Sequence, residues 1–147
     1  RYNKSICFDT FPFPNAAEAQ KERIRGIAER IDAHRKTRQA LFPSLTLTDL
    51  YAVLDQLHYG VDLTPPELRI SEQGDATALK ALHDELDAAV AEAYGWPADL
   101  EKEDVIANLL ELNQRRAAEE KAGTAIRWLR PEYQAPAVKT ETQGKLF

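Results

Sequence analysis

Apolar residues recur along this chain at helical spacing in five separate stretches. Ile24, Ile27, Ala28 and Ile31 fall at i, i+3, i+4 and i+7, one stripe of an amphipathic helix predicted over about Ala16 to Gln39. Asn15-Ala16-Ala17-Glu18 has the form of a capping box at its start. Leu47, Leu50, Tyr51, Leu54 and Leu57 make a second stripe behind the capping candidates Thr46 and Thr48, closed by Tyr59-Gly60. Thr64-Pro65-Pro66-Glu67 opens a short helix toward Gln73, with proline at the first helical position, and Gly74-Asp75 breaks it. Leu79, Leu82, Leu86, Ala89, Val90 and Ala93 form the clearest stripe, stopped by Tyr94-Gly95-Trp96-Pro97. The last long helix is predicted from about Leu100 to Ala122, capped by Asp99, turning Val105, Ile106, Leu109, Leu110 and Leu112 inward and closed by Gly123.

Short connections between five such segments predict an all-α fold, an antiparallel bundle or array of about five helices. Leu82, Leu86 and Val90 are expected to share one core with Ile24, Ile27, Ile31, Leu109 and Leu112. Before the first helix, Tyr2 to Phe8 reads as a short strand remnant, the last strand of something upstream, followed by the hinge Phe8-Asp9-Thr10-Phe11-Pro12-Phe13-Pro14. After the last helix, Ile126 to Tyr133 is rich in large residues and reads as an extended arm, and residues 134–147 as a frayed tail. The domain reading is therefore an upstream end and hinge over 1–14, a helical domain over 15–133 and a tail over 134–147. The chain reads as a C-terminal piece of a larger protein.

Composition narrows the function classes. With 44% hydrophobic and 29% charged residues, 147 residues suit one globular domain and exclude wholesale disorder. No apolar run reaches the roughly 18 to 20 residues of a membrane span and no signal peptide is visible, so a soluble, cytoplasmic protein is expected. The single Cys7 excludes an intrachain disulfide and reads as a small packed hydrophobe. A net charge of -5 argues against a protein that coats nucleic acid and leaves room for a local basic face.

Such a face is present. Between Lys21 and Arg38 seven basic residues stand against Glu22, Glu29 and Asp32. Steps of about 100° place Lys21, Arg25 and Lys36 on one flank of the apolar stripe and Arg23 and Arg30 on the other, with the outermost face more acidic. Two readings stay open: a solvated helix with i,i+4 pairs, or a flank laid along a phosphate backbone. The candidate backbone contacts are Lys21, Arg23, Arg25, Arg30 and Lys36.

Other chemistry is sparse. His83 and Asp87 stand one helical turn apart, yet no further ligand follows at similar spacing, and the structural reading is the better one. The chain carries no glycine-rich phosphate loop, no Gly-x-Ser-x-Gly and no His-Glu-x-x-His. Trp96, Trp128 and Tyr133 could stack on bases, but each sits beside a proline or a helix stop, where an aromatic plug is expected.

Taken in order, the hinge Phe8 to Pro14, the run Ile31-Asp32-Ala33-His34-Arg35-Lys36-Thr37-Arg38-Gln39-Ala40-Leu41 and the run Leu45-Thr46-Leu47-Thr48-Asp49-Leu50-Tyr51 carry a family likeness. It continues in Leu82 to Val90, Ala93 to Pro97 and Ile126 to Gln134. The series resembles the C-terminal part of bacterial adenine-N6 DNA methyltransferases of restriction-modification systems, including single-chain type II enzymes that fuse methylation and cleavage. The resemblance implies a helical C-terminal region that follows the target-recognition region. It implies S-adenosylmethionine as cofactor of the parent protein, DNA as its partner, and upstream methyltransferase and target-recognition domains as neighbours. The donor-binding loop and the Asn-Pro-Pro-aromatic motif of that family are not in this sequence, so the resemblance carries over no catalytic, cofactor-binding or metal residue. The expectation is an accessory domain that supports target recognition, with contact to the DNA backbone as an open point. The alternative is a helical interaction or dimerisation module with no nucleic-acid role.

Overall fold

The computed structural model describes residues 11–123. They form five α-helices and no strand: α1 Glu18–Leu41, α2 Leu47–His58, α3 Pro65–Gly74, α4 Ala76–Tyr94 and α5 Lys102–Lys121. The fold is all-α, as the periodicity requires. The strand expected before Asp9, the arm over Ile126 to Tyr133 and the tail over 134–147 lie outside the described residues.

The helices belong to two compact units. Helices α1 to α4 make up the unit Ala16–Glu101, and α5 belongs to the other, whose described residues are 11–15 and 102–123.

Local signals place most of the helix ends. Thr46 Oγ1 accepts from the Asp49 amide at 3.1 Å at the start of α2. At α3 the Glu67 carboxylate accepts from both the Thr64 amide (2.8 Å) and the Thr64 hydroxyl (2.6 Å), and Gln56 Nε2 donates to its other oxygen at 2.7 Å. One carboxylate thus fixes the start of α3 and ties it to α2. At the end of α4, Gly95 is left-handed (φ 74°), its N–H reaches Glu92 O at 3.0 Å, and the Trp96 N–H reaches Ala91 O at 2.9 Å. This pair of bonds is the Schellman closure, and the Trp96 ring lies flat on Tyr94, centroids 4.3 Å apart.

Two expected caps are displaced. Helix α1 begins at Glu18 rather than Ala16 because Gln20 Oε1 accepts from the Ala17 amide at 2.9 Å, which makes Ala17 and not Asn15 the last extended residue. Helix α5 begins at Lys102, three residues after Asp99, with Glu103 and Asp104 supplying negative charge to its first turn.

The core of the first unit centres on Leu50, Val53 and Leu79, all fully buried, with Ile27, Ile31, Leu45, Leu54, Ala76 and Ala89 around them. Ile24, Leu82 and Leu86 pack against this cluster, as their periodicity demands, and Val90 is half-buried. Leu109 and Leu112, expected in the same core, are half-buried residues of α5 in the other unit. On that helix Ile106 and Leu110, expected to face inward, are 58% and 57% exposed.

A single residue, Asp75, joins α3 to α4, and it is left-handed at φ 45°. Gly74 before it is still helical and buried, and a Cβ there would overlap Leu50 Cδ1. The sequence reads Gly74-Asp75 as a helix break. In the structure Asp75 makes the break, and glycine serves the close approach of α2 to α3.

Candidate functional site

Each of the seven cations between Lys21 and Arg38 has a partner. On one flank the partners come from α1 itself: Lys21 to Glu18 (3.2 Å), Arg25 to Glu22, and Lys36 to Asp32 (2.6 Å), with Arg35 also on Asp32 at 3.4 Å. The Lys36 ammonium, hydrogen-bonded to Asp32, holds that carboxyl below its usual range, and the Glu22 carboxylate raises the Arg25 guanidinium above its own. Lys21, Arg25 and Lys36 share an arc of about 100° with Glu18, Glu22, Glu29 and Asp32. Three cations among four acids leave this flank without excess positive charge.

The other flank differs. Arg23 reaches across to Glu92 of α4 at 2.6 Å and Arg30 to Glu85 of α4 at 2.8 Å. These pairs run between antiparallel helices two turns apart and stitch α1 to α4. The five candidate phosphate contacts therefore divide: Lys21, Arg25 and Lys36 are in short-range pairs on an exposed surface, while Arg23 and Arg30 cross between helices.

Beside the second flank an open groove of about 680 Å³ runs between α1 and the first half of α4. Arg30, His34, Thr37 and Arg38 form one wall, and Asp75, Ala78, Leu82 and Glu85 the other. Two of these residues complete the fold. His34 Nε2 donates to Gly74 O at 2.9 Å, and Arg38 donates to Gln73 O at 2.5 Å and Glu72 O at 2.7 Å while its guanidinium lies 5.2 Å above the Phe42 ring. Three consecutive carbonyls at the end of α3 are thus capped by two side chains of α1, one turn apart. Sequence reasoning missed this role. The only trace of it was a basic pair at i,i+4 whose partners lie about 35 to 40 residues away.

A second polar cluster joins α1, α2 and α4. Arg35 Nη1 donates to the Tyr51 hydroxyl at 3.4 Å, and Tyr51 Oη lies 3.0 Å from His83 Nε2, the rings edge to face. The Tyr51 hydroxyl thus bridges the Arg35 guanidinium and the His83 imidazole, joining the three helices through one oxygen. His83, read from the sequence for its spacing to Asp87, is bound to Tyr51. Among the described residues no three His, Cys, Asp or Glu side chains converge in a metal-binding group, and no helix is long and apolar enough to cross a membrane.

Trp96 stacks on Tyr94, in keeping with the staple reading. Trp128 and Tyr133 lie outside the described residues. No family model, curated protein or solved structure matches the chain.

Proposed function

We propose that this chain is the helical support region of a cytoplasmic, S-adenosylmethionine-dependent adenine-N6 DNA methyltransferase of a restriction-modification system, and that it does not itself carry the chemistry. The observation that supports this reading is where the family-like segments fall. The run 31–41 supplies Ile31 to the core and His34 and Arg38 to the end of α3. The run 45–51 supplies buried Leu45 and Leu50, the Thr46 cap and Tyr51. Leu82 to Val90 supplies the α4 side of the core and His83, and Ala93 to Pro97 is the helix closure. The likeness thus concentrates on residues that build and join helices, which suits a scaffold.

Contact with DNA is a secondary role on this reading. Lys21, Arg25 and Lys36 would have to exchange their present surface partners for phosphates, at a flank where acids outnumber them and repel the strand. Target choice would stay with the upstream region, since backbone contacts position a protein without reading bases.

The test is the coding sequence upstream of Arg1. An Asn-Pro-Pro-aromatic motif and a donor-binding loop there, with adenine methylation by the full-length protein, are expected. A full-length protein with neither motif nor methylation overturns the proposal and leaves an interaction module.

A further inference from the structure

The α1–α4 face carries opposite charges in matching register, one pair (Arg30 and Glu85) on the walls of the groove and one (Arg23 and Glu92) two turns beyond it. Arg23 and Arg30 stand seven residues apart on α1, Glu92 and Glu85 seven apart on α4, and each pair sits at one height along the antiparallel helices. All four remain substantially exposed, with 50%, 58%, 58% and 39% of their side-chain surfaces open for Arg23, Arg30, Glu92 and Glu85. Such a face is self-complementary: a two-fold axis along the groove keeps heights unchanged and exchanges the walls, so each cation row meets the anion row of another copy.

A second observation sits on the same flank. Gly26 lies in the middle of α1 with ordinary helical backbone, exposed, and a Cβ built on it meets no atom of the described residues within 4 Å. Glycine there costs about 1 kcal/mol of helix stability relative to alanine. At Gly74 the neighbouring Leu50 accounts for the missing side chain; at Gly26 nothing among the described residues does. By helical stepping Gly26 lies about 40° round the helix from Arg30 and about 60° from Arg23, on the same side of both and between them in height, where a second backbone would come closest.

We infer that this face seats a second copy of the chain, α1 of each copy lying against α4 of the other about an axis along the groove. Arg23 and Arg30 then meet Glu92 and Glu85 of the partner subunit as well as their own. The charges decide against a nucleic acid here. In the groove Arg30 and Arg38 stand against Asp75 and Glu85, and beyond it Arg23 against Glu92, so a phosphate strand would meet carboxylates beside the arginines. The inference does not depend on the methyltransferase reading.

Sedimentation equilibrium of the full chain from micromolar to millimolar concentration tests it. The expected mass rises from 16.6 kDa toward twice that value. Arg30→Glu and Glu85→Arg should each weaken self-association by about tenfold or more, because each sets like charges opposite one another. Mixed together, the two variants should associate with each other in preference to themselves, which loss of an intrachain pair cannot produce. Gly26→Gln, at an exposed helical site that keeps the fold, should raise thermal stability of the monomer and weaken the dimer. A chain that stays at 16.6 kDa throughout, a dimer indifferent to the charge reversals, or a monomer that binds a random duplex through Arg30 each overturns the proposal.

Discussion

The corner where α3 turns into α4 and the outer flank of α1 are both dense in interactions, and they are held by different physics. At the corner a methyl group on Gly74 would overlap Leu50, and Ala76 and Leu79 are fully buried in the same core. On the flank, Lys21, Arg25 and Lys36 pair with acids a turn away, in water, where each pair is exchangeable. The corner determines whether the first unit folds; the flank determines what its surface offers to partners. A long roll of ion pairs says little about stability, and one buried glycine says much.

The contrast breaks first at the centre of the core. Leu79→Ala is expected to cost about 3 to 5 kcal/mol in denaturant unfolding, and Leu86→Ala, at the edge of the cluster, about 2. A loss below about 1 kcal/mol at Leu79 would show that the site collapses readily and that the corner is not close-packed. Gly74→Ala should follow at about 1 to 3 kcal/mol, since Leu50 must move. Combining it with Leu50→Ala should cost less than the sum of the two, because the truncated leucine makes the space.

The α4 closure is a smaller matter. Gly95→Ala forces a side chain into φ 74° and should lower stability by about 1 kcal/mol without altering the core. Glu67 gives a pH signature. The Thr64 hydroxyl first, then the Gln56 amide and the Thr64 N–H, donate to its carboxylate and hold its pKa below the ordinary value. A carboxyl depressed in the folded state stabilises fully above its unfolded pKa, and that contribution disappears as pH falls through the depressed folded value. Glu67→Gln should therefore flatten the fall in stability below about pH 4.3, and an unchanged acid limb would mean that the Thr64 box does not persist in solution.

The flank should show least. Replacing Lys21, Arg25 and Lys36 together by alanine is expected to leave the denaturant midpoint within experimental error of the parent chain. If the chain belongs to a DNA methyltransferase as proposed, the same change should also leave the salt dependence of that protein's DNA binding unchanged. If these side chains do hold phosphates, each substitution should instead flatten the slope of log affinity against log salt by about 0.9, which would move this flank from solvent to DNA.

What could be read from the sequence follows the range of the forces. Thr46, the Thr64–Glu67 box and the Gly95–Trp96 closure act within six residues, and all were legible. Cap displacement at α1 was not, because Gln20 and Glu18 compete for the same role and sequence does not rank them. Leu109 and Leu112 fall on a helix of the other unit, which their periodicity could not announce: an apolar stripe shows that a helix face is buried, not which neighbour buries it. The capping of α3 by His34 and Arg38 and the stitching of α1 to α4 by Arg23 and Arg30 depend on tertiary placement, to which periodicity is blind.

The one-residue joint at Asp75 also governs how this chain tolerates changes of length. Adding one residue there would turn α4 by about 100° about its own axis, lifting Leu79 from the core and carrying Glu85 and Glu92 away from their arginines. The connections at Val61–Asp62 and after Trp96, by contrast, lie outside the capping bonds that fix the neighbouring helix ends, and an added residue there only lengthens a loop. Insertion scanning should find the Asp75 joint closed to change and those two connections open, so that a tag or a reporter domain belongs after Pro97 and nowhere near Asp75.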